Sequence, residues 1–129
     1  MNFLTQFIIT LVIFTLVDLV WLVKVAPKLY RKYIGHLMSD KVNMVGAGLF
    51  YLIFIIGLVF FVVGPQSNDP LQALFSGAMF GLVTYATYDL TNLATLKAWP
   101  VTITVIDLIW GTTVTAVTSG LVVLILGVF

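Results

Sequence analysis

The stretch LQALFSGAMFGLVTYATYDLTNLATLKAWP, Leu71 to Pro100, decides how this chain folds. Its residues 71–95 are long enough to cross a bilayer core, which takes about 20, yet they carry Tyr85, Tyr88, Asp89, Asn92 and a series of threonines. On a helix of 3.6 residues per turn, Gly77, Gly81, Thr84, Tyr85, Tyr88, Asp89, Thr91, Asn92 and Thr95 fall within an arc of about 160°. Met79, Leu82, Val83, Ala86, Leu90 and Leu93 take the other side. One side suits lipid and the other suits protein. Gly77 and Gly81 form a GxxxG pair on the polar side, where missing side chains let another helix come close.

Outward from this segment the chain is more apolar still. Of its 129 residues 61% are hydrophobic and only 9% charged, against about a quarter charged in soluble domains, so the chain is a membrane protein. Three further apolar segments, 3–23, 43–63 and 101–125, make four candidate spans with 71–95. The expected fold is an all-α integral membrane four-helix bundle, one domain over residues 1–129. The N-terminal segment lacks a basic start and a small-x-small cleavage site, and Asp18 interrupts its apolar run, so it reads as a retained span rather than a signal peptide.

Charge gives the direction. Lys24, Lys28, Arg31, Lys32 and Lys41 fall in the first connection and Lys97 in the third, which an even number of crossings places on one side. The positive-inside rule makes that side cytoplasmic and puts both termini and the PQSNDP loop outside. Within the first connection Leu29, Tyr30, Tyr33, Ile34, Leu37 and Met38 form one helical stripe, with Lys28, Arg31, Lys32 and Ser39 opposite. This predicts a short amphipathic helix over about 27–39, lying on the inner surface, whose Lys28, Arg31 and Lys32 either contact anionic headgroups or serve as a topology anchor. His36, towards its polar side, reads as a solvated residue. A net charge of +1 gives no reason to expect a nucleic-acid partner. The absence of cysteine removes disulfides, thiolate-bound zinc and cysteine nucleophiles. No nucleotide loop, zinc signature or nucleophile motif appears, so neither a cofactor nor a metal is expected.

The acids carry the functional question. In the fourth span Thr104, Asp107, Gly111, Thr115 and Thr118 line a strip about 80° wide, and the first span sets Thr15 and Asp18 at i,i+3 with Trp21 one further turn on. TLVDLVW and TVIDLIW share T-x-x-D-L-x-W, but their spans run in opposite directions, and in a chain this rich in Leu, Val and Ile the match reads as chance. Asp18, Asp89 and Asp107 each lie roughly 9–12 Å in from the basic end at about 1.5 Å per residue. A charge at the bilayer centre costs at least about 2.5–3.5 kcal/mol, so the three should face one another around a shared proton or a bound cation. The expected pocket is made by Asp18, Tyr85, Tyr88, Asp89, Asn92, Thr104 and Asp107 and opens to the cytoplasm. The second span, read as free of ionisable groups, should pack outside it through Gly46, Gly48 and Gly57. The plainer alternative is that the acids are interhelical glue, although such bonds average only about 0.6 kcal/mol in membranes. Trp99 suits an interfacial belt, and Trp21 and Trp110 packing beside the acids.

YDLTNLATLKAWP followed by DLIWG, with DLVW in the first span, resembles a family of small four-span bacterial inner-membrane proteins known as a domain of unknown function, over nearly the whole chain. The resemblance implies a bacterial inner-membrane location, for which the charge pattern makes the outside termini periplasmic, no assigned activity, and genes placed near fatty-acid and phospholipid-modifying enzymes. Three functions stay open. One is a lipid- or partner-binding module, as a homodimer or with another membrane protein; another is a small carrier coupled to protons or a hard cation. The third is a lipid-modifying enzyme or subunit with Asp89 and Asp107 as acid and base and Tyr88 or Asn92 as orienting donors.

Overall fold

A computed structural model describes residues 2–128. The chain is all-α: among the described residues there is no strand, and apolar helices make a membrane bundle. α1 (Phe3–Val20) opens on Asn2, whose side chain accepts the Thr5 N–H. A π-helical turn, Trp21–Val25, leads directly into α2 (Ala26–Ile34) and a short 3-10 turn, Gly35–Leu37. α3 (Met44–Leu58) is capped by Asn43 and prolonged by a second π-helical turn, Val59–Val63. α4 (Pro70–Thr95) begins on an Asp69 cap with Pro70 in its first turn, where a missing N–H costs nothing. α5 (Val101–Leu126) follows Pro100.

Three stretches, Phe3–Leu37, Met44–Val63 and Val101–Leu126, are long and apolar enough to cross a membrane on their own. α4 has the length, but its polar groups dilute its hydropathy. Its exposed line of Leu71, Phe75, Met79, Leu82, Val83 and Leu90 is as apolar as that of its neighbours. The amphipathic segment expected over 27–39 is not a separate helix. It continues α1 through the π turn, and the helical chain ends at Leu37, with Met38 already extended.

α5 is the axis, with α4 packed along it and α1 against another of its sides. The two long helices approach through glycine: a Cβ on Gly77 would collide with Ser119 and the Thr115 carbonyl, and one on Gly81 with the Gly111 carbonyl and Thr115. The GxxxG pair therefore does what its spacing suggests.

Hydrocarbon packing is concentrated away from the basic end. Ile55, Leu58, Val59, Val63, Ala73, Val114 and Val122 are wholly buried there. The first half of α3 stands off instead: Met44, Val45, Leu49, Phe50 and Ile53 are exposed, and nothing lies within 4 Å of where a Cβ on Gly48 would be. Of the three glycines expected to seat this helix, only Gly57 meets another helix, at Phe80. Side chains, from Phe54 onward, do the packing in place of glycines. The gap left beside the first half of α3 is where the site lies.

Candidate functional site

Each of the three buried aspartates is held differently. Asp18 on α1 accepts from two donors on two other helices, the Tyr51 hydroxyl of α3 at 2.5 Å and the Trp110 indole N–H of α5 at 3.3 Å. One donor reaches each oxygen, so this carboxylate is satisfied. Asp107, two turns into α5, accepts the Tyr30 hydroxyl at 2.5 Å, and Tyr30 in turn accepts the Trp21 indole N–H at 3.2 Å. Asp89 on α4 is completely buried, and neither of its oxygens meets a conventional donor among the described residues. Its carboxyl lies close enough to that of Asp107 for the two to be electrostatically coupled. Two carboxyls can bond to each other only through a proton on one of them.

The π turn explains how Tyr30 reaches α5. On an uninterrupted α-helix, residues nine apart point in directions about 180° apart, so Trp21 and Tyr30 would face away from each other. A π turn absorbs one extra residue and rotates the next helical segment back by about 100°. Both side chains then face α5: the Trp21 indole stacks on Trp110 with ring centres 4.6 Å apart, and Tyr30 packs edge-on to Trp21. Lys28, Arg31 and Lys32 remain on the outer side of α2, all three exposed.

Beside Asp107 lies a cavity of about 450 Å³, partly open to the outside, within the range of small-molecule sites. Its walls are mostly aromatic. Tyr30 and Ile34 come from α2, Phe50 and Phe54 from α3, Thr84, Tyr85 and Tyr88 from α4, and Trp99 from the turn before α5. Asp107 is the one acid on the wall, and no lining residue is basic. The exposed Phe50 and Tyr88 stand at its mouth.

Two local features place Trp99. Ala98 adopts a left-handed backbone with φ 62°, a conformation costing an L residue about 1–2 kcal/mol, and this tightens the turn between α4 and α5. The indole N–H of Trp99 then donates to Thr104 at 3.0 Å, while Thr104 donates to the Pro100 carbonyl. Trp99 is buried and meets Tyr88 edge to face at 6.0 Å.

The residues expected to share one pocket are thus divided. Tyr85, Tyr88 and Asp107 line the cavity; Asp89 lies behind Asp107, Thr104 beneath Trp99, and Asn92 off the wall, its backbone carbonyl ending α4 at Leu96. Asp18 has its own donors and does not line the cavity. Tyr85 is the common neighbour, its ring pressed onto Gly111 within electrostatic reach of all three carboxyls. Sequence reasoning missed Tyr51, though it is the one hydroxyl in an otherwise apolar span. It also took Tyr30 for part of a lipid-facing stripe.

No curated protein and no solved structure matches the chain. A family model described as predicted membrane protein, DUF2177, matches residues 3–124, and the chain belongs to that family.

Proposed function

We propose that this protein is a membrane module that binds an amphiphile, a membrane lipid in the first instance, in the cavity beside Asp107. The observation that carries the reading is the cavity itself, an aromatic-walled space with a single acid at its wall and a mouth among exposed apolar side chains. Such a site takes an apolar body along its rings and a polar head at the carboxyl. The acid–base enzyme reading has less support, since only one of the two paired carboxyls reaches the cavity.

In this reading α4 is the fourth crossing, buried by α5 on its polar side, and the basic end is cytoplasmic in a bacterial inner membrane. Lys28, Arg31 and Lys32 lie at the headgroup level there. Because the chain has no native cysteine, single cysteines report the orientation. Asn68→Cys should react with an impermeant maleimide on intact cells and Ser39→Cys only after permeabilisation; the reverse pattern overturns the topology.

Binding is tested by purifying the full chain in a neutral detergent and measuring retained lipid by native mass spectrometry. The wild type and Ala86→Leu, altered on the opposite side of α4, should both retain lipid. Thr84→Trp, which fills the cavity, should not. Equal retention by the filled variant, or none by the wild type, refutes the reading.

A further inference from the structure

Resting on that reading, the geometry points to the class of ligand: an amphiphile with a cationic amine head, which binds Asp107 in exchange for the proton held between Asp107 and Asp89.

The walls of the cavity favour a cation. Tyr30, Tyr85, Tyr88 and Trp99 surround a space whose charged member is Asp107 and which no lysine or arginine lines. Aromatic faces carry negative charge density and attract cations, more strongly when water is excluded. A phosphate head without a compensating amine would meet a carboxylate and ring faces, with no basic partner. A neutral hydroxyl head would forgo the charge. An ammonium group satisfies both features of the wall.

The carboxyl pair behind the wall favours exchange for a proton. Among the described residues Asp89 is fully buried with no donor on either oxygen, and the charged group beside it is Asp107. Without a cation, two neighbouring carboxylates in hydrocarbon repel and lack solvation, so the pair holds one proton and a single negative charge. The groups that face it do not change this count. From α2, Tyr30 donates its hydroxyl to Asp107; from α4, Tyr85 and Tyr88 present phenols; from α1, Asp18 is already occupied by Tyr51 of α3 and Trp110 of α5. When an ammonium docks on Asp107, its positive charge replaces that of the proton. Asp89–COOH with Asp107–COO⁻ plus R–NH₃⁺ gives two carboxylates, the bound R–NH₃⁺ and one H⁺ released to water. Binding should therefore strengthen as pH rises, until the amine itself loses its charge.

The test uses the full chain in maltoside micelles, with decylamine, decanol and decyl phosphate added at equal mole fraction. Binding is read from tryptophan emission, with Trp99→Phe identifying the cavity signal. The expected result is that decylamine binds at least about tenfold more tightly than either other probe. In weakly buffered solution near neutral pH it should release about one proton per chain. Asp89→Asn, which cannot hold the exchangeable proton, should still bind decylamine but release none and lose the pH dependence. Equal binding of all three probes overturns the amine assignment while leaving the amphiphile reading standing. Amine binding without proton release in the wild type overturns the exchange. If none of the probes binds and no lipid is retained on purification, the underlying reading fails as well.

Discussion

Asp18 and Asp89 are both buried aspartates of the helical bundle, yet the bundle treats them in opposite ways. Asp18 draws a donor from α3 and another from α5, and the three helices are tied at one carboxylate. Among the described residues Asp89 draws no donor, and the neighbouring carboxyl of Asp107 is coupled to it electrostatically. The first arrangement gains hydrogen bonds and leaves nothing over. The second leaves an unsatisfied buried acid, a group that is costly to bury and able to take up a proton or face a cation. The contrast sets a satisfied acid against an unsatisfied one in the same bundle, and it can be broken or sharpened experimentally.

The largest effect should come from removing the contact that supports both arrangements. α4 and α5 touch at Gly77 and Gly81, where any side chain meets α5 backbone. Gly81→Leu should cost about 3 kcal/mol or more and yield aggregated rather than monodisperse protein on size-exclusion chromatography. Ala86→Leu, on the other side of the same helix, should stay within about 0.5 kcal/mol of wild type. If both variants behave alike, the glycine contact does not organise the bundle.

Next in size is the loss of Asp18 itself. Asp18→Leu removes the acceptor from two half-buried donors, and leaving a buried donor unpaired costs up to about 1–3 kcal/mol. A total loss of about 2–5 kcal/mol is expected from thermal unfolding in detergent. A smaller step comes from the donor side. Tyr51→Phe removes one bond to Asp18 and leaves the Trp110 indole in place, for a loss of about 0.6–1.7 kcal/mol. An Asp18→Leu variant as stable as wild type would remove the distinction between the two acids.

The two-sided character of α4 and its glycine contact were legible in the sequence, because a regular helix obeys a 3.6-residue period. Tyr30 was misplaced because the period fails at the π turn Trp21–Val25, which rotates α2 towards α5. Tyr51 was passed over because α3 is apolar on every side, so no polar stripe marks the one hydroxyl that matters. Thr104 and Asn92 lie on the polar sides their spacing assigns, but a polar side is wider than a cavity, and these two meet a turn and a helix end. Nor could spacing distinguish Asp18 from Asp89. That difference depends on donors arriving from helices distant in the chain, which only the packed bundle supplies.

The smallest expected effect on stability decides the comparison. Asp89→Asn nearly preserves shape, breaks no donor contact, and supplies an amide N–H that can bond Asp107 as a shared proton would. Its unfolding midpoint should therefore match wild type within the shift corresponding to about 0.5 kcal/mol, whereas Asp18→Leu falls well below. Small stability changes are normally uninformative, but here the size of the contrast is what is measured. If Asp89 were held as Asp18 is, by a donor on each oxygen, the amide NH₂ would face one of those donors, leave it unpaired and destabilise the bundle. A loss of about 2 kcal/mol or more in Asp89→Asn would show that the buried pair holds α4 to α5, and would return the YDLTN segment to a structural role.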